Sequence, residues 1–276
     1  MTQALRTTLD PAGRLELIDV AHRLADVARA ATLPLFRGDA LATQNKHAAA
    51  AGGGFDPVTA ADRAAEQQMR ALLARLRPGD AVLGEELPDR TGTSGLRWIL
   101  DPIDGTRGFL SGTPTWGVLI AVADAQGPFL GIIDQPYIGE RFLGGLGQAR
   151  LDAPHGSRTL RTRAPRPLSE AVLFSTFPEI GTAQEQAAFR RVAGRVQLVR
   201  YGMDCYAYAL LAAGHVDLVI EAGLHAFDIA APIAVIEAAG GLVTDWQGGP
   251  AHDGGQVLAA ANAQVHAAAL KLLAGA

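Results

Sequence analysis

Cysteine is almost absent. Cys205 is the single cysteine in 276 residues, so no disulfide can form within the chain. That usage suits a reducing compartment, and a cytoplasmic protein is expected. Aromatic side chains make up only 6% of the chain, too sparse for a surface on which successive bases stack. Excess positive charge is also missing. The formal charge is −4, which gives no electrostatic footprint for nucleic acid or an anionic membrane. No uninterrupted apolar run approaches the ~18 residues of a membrane span. The opening Met1-Thr2-Gln3-Ala4-Leu5-Arg6 lacks the basic-then-apolar order of a signal peptide. A soluble protein is expected, with neither nucleic acid nor membrane among its partners.

What is present fits a globular chain: 49% apolar and 19% charged residues, long enough for one large domain or two intimately packed ones. Leu15, Ile18, Ala21, Leu24, Val27 and Ala28 approximate a helical stripe over 14–33. Residues 47–55, with three successive glycines, read as a loop because ordering them costs much entropy. A second helix opens at Thr59, carries Met69, Leu72, Leu73 and Leu76 on one face, and stops at Pro78-Gly79. Short strand-like runs follow at 81–84, 97–100, 116–123 and 129–133, with further alternation to about 150. Residues 158–167, polar and proline-containing, read as a seam. The second half alternates: strands at 171–175, 216–220, 242–244 and 257–260, and helices at 184–193, 205–213 and 229–239, with Asn262 capping a last helix. The class is mixed α and β in layers.

Four segments put carboxylates at the ends of these elements, where loops build sites on rigid scaffolds. They are Gly84-Glu85-Glu86, Asp101-Pro102-Ile103-Asp104-Gly105-Thr106, Asp56 through Asp62, and His225-Ala226-Phe227-Asp228. On a straight strand Asp101 and Asp104 would face opposite sides. A turn at Pro102, which forbids regular continuation of the ladder, can bring both carboxylates and the Ile103 carbonyl to one side. Three hard oxygens within four residues suit Mg²⁺ or Mn²⁺ rather than zinc. Gly105-Thr106 can then offer backbone N–H groups and a hydroxyl to a phosphate oxygen. Each segment also has a plainer reading. Asp-Pro-x-Asp-Gly is good turn chemistry, Thr59-x-x-Asp62 is a capping box, Asp228 sits where an N-cap belongs, and Glu85-Glu86 can be a solvated strand end. Cys205 reads as a small helix hydrophobe. His215, His225 and His266 lack metal-binding spacing, and Gly144-Gly145-Leu146-Gly147 reads as a turn rather than a dinucleotide fingerprint.

Together these segments resemble the inositol monophosphatase superfamily of metal-dependent phosphatases, from about residue 45 to 262. The carriers are Asp101 to Thr106, and Phe227-Asp228-Ile229-Ala230-Ala231 followed by Glu237-Ala238-Ala239-Gly240-Gly241. The resemblance implies an αβαβα sandwich, commonly dimeric. It implies a half with most of the metal ligands at 1–150, and a half at 151–276 that completes the site. It further implies two to three Mg²⁺ ions, Mn²⁺ substituting, on Glu85, Asp101, Asp104, Asp228 and the Ile103 carbonyl. Asp62 and Thr106 would orient the attacking water, with Glu85 also in the catalytic set. Asp104-Gly105-Thr106-Arg107-Gly108-Phe109 and the stretch Tyr201 to Glu221 are similar to the histidinol-phosphate phosphatase branch, with Gly108 in place of a serine. That likeness implies a phosphomonoesterase of histidine biosynthesis whose substrate meets Gly105, Thr106, Arg107, Asp204, Glu221 and Asp228. The alternatives are an inositol monophosphatase or broad sugar-phosphate phosphatase, and, outside the enzymes, a metal-binding scaffold.

Overall fold

The computed structural model describes residue 6 and residues 9–38, 43–45 and 57–275; the glycine-rich loop expected at 47–55, and Asp56, lie outside the described residues. Helix α1, Pro11–Thr32, begins three residues before the expected start. Asp10 caps it by accepting from the Gly13 N–H at 2.7 Å, and Pro11 fits the first turn, where no N–H is needed. Helix α2 spans Ala60–Leu76. A short antiparallel pair, β1 (Thr43–Asn45) and β2 (Pro57–Thr59), precedes it.

The first sheet has seven strands in chain order: β3 (Ala81–Gly84), β4 (Arg97–Asp104), β5 (Gly117–Asp124), β6 (Gly127–Gln135), β7 (Glu140–Gly145), β8 (Gln148–Ala153) and β9 (Gly156–Thr159). Only β3 and β4 run parallel. The turn between β7 and β8 holds Gly145-Leu146-Gly147, all at positive φ, as the turn reading required. The second sheet has five strands in the order β11-β10-β12-β14-β13, formed by β10 (Val172–Ser175), β11 (Leu198–Tyr201), β12 (Leu218–His225), β13 (Leu242–Thr244) and β14 (Gly254–Ala260). Helices α4 (Ala183–Ala193), α5 (Asp204–Ala212), α6 (Ala226–Ala238) and α7 (Ala263–Leu273) complete the layers, with the single-turn-and-a-half α3 (Thr106–Ser111) at the end of β4. Asn262 caps α7 as expected, accepting from the Val265 N–H.

Apolar cores fill the spaces between five layers. Leu17, Leu24, Met69 and Leu73 of α1 and α2 cover one face of the first sheet through Trp98, Leu100, Val118 and Ile120. The other face packs on α5 and α6, which meet the second sheet on their far side through Val219, Val257 and Ala259. Helices α4 and α7 cover the outer face of that second sheet. This is the αβαβα sandwich. Helix α6 is buried almost all round, Ile229 to Ile236 without interruption, as a helix pressed between two sheets must be. Glycine admits it: a Cβ on Gly144 would stand 2.3 Å from Val235 Cα. Among the described residues no helix is long and apolar enough to cross a membrane.

Candidate metal centre

Strand β4 does not end at Leu100, as expected, but runs on through Pro102 to Asp104. The reason is a bulge. Asp101 pairs with Leu119 and Asp104 with Gly117, so three steps on β4 match two on β5. The extra residue absorbs the missing proline donor and turns the next side chain. Asp101 and Asp104 therefore share a side. The Ile103 N–H donates to Asp101 Oδ1 at 3.0 Å, and the Ile103 side chain is fully buried with Phe109 and Trp116.

Asp228 comes from the second half of the chain. It is not the N-cap of α6 but its third residue, because His225 stands at the cap position. The His225 N–H donates to Asp228 Oδ2 at 2.6 Å, which fixes the carboxylate over the end of the first sheet. Asp101, Asp104 and Asp228 each present one oxygen, and these atoms lie within 4.8 Å of one another. Burial pushes the Asp101 carboxyl well above the usual carboxylate range, and the charges of Glu85, Asp104, Asp228 and Asp62 push it further. Asp104 is raised by burial, Asp204 and Asp228, against the hydrogen bond from Cys205. Six acids thus act on one small volume. Such a set is costly without positive charge, and its hard oxygen donors fit a divalent cation of the Mg²⁺ type.

Asp62 projects from the first turn of α2 and is buried. The Thr106 hydroxyl lies 3.5 Å from Asp62 Oδ1 and 3.2 Å from the Ile103 carbonyl, so one hydroxyl links the helix to the bulged strand. Glu85 follows β3 directly and is half-buried. It reaches Asp101 through its charge rather than as one of the three close oxygens.

The remaining expected residues gather on one flank. Asp204 opens α5 with φ +46°, accepts from the Thr115 hydroxyl at 3.3 Å, and lies against Gly105 and Gly108. Burial raises its carboxyl, while Thr115 and Arg107 oppose the rise. Glu221, at the β12 bulge, is buried and accepts from the Thr176 N–H at 2.6 Å and the Thr176 hydroxyl at 2.9 Å. Its carboxyl is pushed up to about 7, chiefly by burial. Arg107 stacks over the Phe177 ring at 5.1 Å. The sequence reading missed Thr115, Thr176 and Phe177. The available signal was position, since Thr176-Phe177 directly follows β10, as Glu85 follows β3.

Residues 14–275 match the model of the Inositol monophosphatase family. The chain belongs to that family of phosphatases. It is 34% identical over 270 residues to a histidinol-phosphatase of Streptomyces coelicolor, covering 91% of this chain and 94% of the other. It is 43% identical over 196 residues to the chloroplastic bifunctional phosphatase IMPL2 of Arabidopsis thaliana; the match covers 70% of this chain and 56% of the plant protein, so it spans little more than half of that relative. Among solved structures, an inositol monophosphatase from Zymomonas mobilis superposes with a TM-score of 0.80 at 38% identity, over 93% of this chain and 97% of that one. The family model therefore spans the bulged strand, the α2 carboxylate and the α6 entrance together.

Proposed function

We propose that this phosphatase hydrolyses L-histidinol phosphate to L-histidinol and phosphate with Mg²⁺, two to three ions held by Glu85, Asp101, Asp104, Asp228 and the Ile103 carbonyl, Mn²⁺ substituting. The observation that carries the substrate is the flank. Two acids, half-buried Asp204 and buried Glu221, adjoin the carboxylate cluster beside the Phe177 ring. An acidic wall favours a cationic amine, and an aromatic face suits a flat imidazole. The likeness to the Streptomyces coelicolor histidinol-phosphatase supports the same reading.

Bound cations would neutralise the phosphate, lower the pKa of water and stabilise the leaving alkoxide. The chain's residues do the rest. Asp62 and Thr106 hold and orient the water for in-line attack, with Glu85 in the same catalytic set. Gly105, Thr106 and Arg107 receive the phosphate, Arg107 as a charged fork. Asp204, Glu221 and Asp228 face the alcohol that departs. We further propose that the protein is a cytoplasmic homodimer of histidine biosynthesis whose chain divides into halves near residue 150.

Phosphate release should be measured side by side for L-histidinol phosphate, inositol 1-phosphate, a 3',5'-bisphosphate nucleotide and fructose 1,6-bisphosphate, with and without Mg²⁺. Histidinol phosphate should give the highest kcat/KM. Glu221 can equally accept hydroxyl hydrogen bonds, so a higher value for inositol 1-phosphate would replace the substrate with a sugar phosphate. Cleavage of none would favour a scaffold.

A further inference from the structure

Helix α2 carries more than Asp62. Asp62, Glu66 and Arg70 are spaced by four along it, on one face. Glu66 is fully buried. Arg70 Nε donates to Glu66 Oε1 at 2.7 Å, and the Glu86 N–H donates to Glu66 Oε2 at 2.7 Å. The guanidinium continues along the same segment: Nη2 to the Leu87 carbonyl at 2.9 Å, Nη1 to the Pro88 carbonyl at 2.8 Å. On the other side of Glu85, a Cβ on Gly84 would stand 2.1 Å from Glu66 Oε1, so the backbone is pressed onto this carboxylate. Both neighbours of Glu85 therefore rest on Glu66. A buried charged pair is costly to desolvate, and a plain strand end does not need one.

We infer that the Glu66–Arg70 pair is a positioning device that holds Glu85 in register with Asp62 for cation binding. The helix acts as a ruler, since one turn separates the residue that anchors Glu85 from the residue that faces Thr106. The inference rests on the metal-centre reading above, and Glu66 itself spends its two oxygens on Arg70 and the Glu86 N–H. Glu66→Gln sets an amide N–H₂ against one of two donors, the guanidinium or the Glu86 N–H, and loosens the clamp. Arg70→Lys keeps both charges and loses the fork to Leu87 and Pro88, so any change there is geometric.

The test is a Mn²⁺ titration of the whole chain, followed by electron paramagnetic resonance, beside the Mg²⁺ dependence of phosphate release. Orienting partners of metal ligands typically alter affinity ~10- to 100-fold. Glu66→Gln should weaken Mn²⁺ binding by about 10-fold or more and raise half-saturating Mg²⁺ in parallel, with kcat at saturating Mg²⁺ within about 3-fold of the parent. Arg70→Lys should move both in the same direction by less. Asp80→Asn breaks another buried pair of this sheet, with Arg77 and the Trp98 Nε1–H. It should lower Tm without changing Mn²⁺ affinity. Asp101→Asn reports on the centre itself. If Asp101→Asn weakens Mn²⁺ binding and the two clamp variants do not, the positioning role is overturned and the centre stands. Should Glu66→Gln fail to fold, unchanged Mn²⁺ affinity in Arg70→Lys overturns it alone. If Asp101→Asn leaves binding unchanged, the centre falls, and the inference with it.

Discussion

Gly105 and Asp204 meet with both backbones in the left-handed region, at φ +84° and +46°, and a Cβ on Gly105 would stand 2.8 Å from Asp204 Cγ. The first loop after β4 and the first turn of α5 thus interlock. Gly105→Ala should cost ~2 kcal/mol or more, combining the left-handed penalty with the clash. Gly108 faces the same carboxylate at 3.2 Å but lies within α3. Gly108→Ala should therefore stay within ~1 kcal/mol, helix propensity offsetting the crowding. Urea unfolding of the two variants measures this, and equal losses would refute the interlock.

Asp101→Asn keeps an acceptor for the Ile103 N–H but removes a charge from a set of mutually repelling acids. Metal-dependent phosphate release should fall ~100-fold or more, about 2.7 kcal/mol of barrier. In EDTA the variant should melt at or above the parent's temperature. Retained turnover would sink the metal-site assignment.

Asp204→Asn should act on the substrate's amine. KM for L-histidinol phosphate should rise ~10-fold, or about 1.4 kcal/mol, with inositol 1-phosphate changed little. An equal loss on both substrates would give Asp204 a structural role only.

Glu221 sets a pH dependence. Its folded carboxyl holds a proton to about 7, against an ordinary 4.5. The folded state binds the extra proton across that window, so its contribution to stability is present below about 4.5 and lost as pH rises through about 7. Glu221→Gln removes the titrating proton while leaving an acceptor for Thr176. The variant and parent should melt alike at pH 4.5. The variant should gain on the parent as pH rises towards 8, by up to ~3 kcal/mol. Calorimetry in EDTA across that range decides it; a constant difference would mean that Glu221 does not titrate there.

Much of this was legible in the chain because its acids sit where apolar runs stop. The places of Glu85 after Ala81–Gly84 and of Asp101 after Trp98-Ile99-Leu100 could be read from the order of residues, and their role as ligands from the family resemblance. The continuation of β4 through Pro102 could not. A proline ends a regular ladder, and only the register against Gly117 and Leu119 shows the bulge that tolerates it. Asp228 was displaced from cap to third position because α6 begins at Ala226. Strand β11 escaped notice because three of its four residues are exposed, leaving no alternation to see. The flank around Thr176 and Phe177 depends on contacts some 45 residues away in sequence, which no local pattern encodes.

Helix α6 lies in the latter part of the chain, yet it is wedged against β5, β6 and β7 of the first sheet. A nick in the segment between β9 and β10 would therefore give two pieces that each bare a matching apolar wall, and neither piece alone would own a complete set of acids. Only their reunion brings Asp228 to Asp101 and Asp104. The architecture is in this sense a ready-made two-component reporter, with turnover as the signal that the parts have found each other.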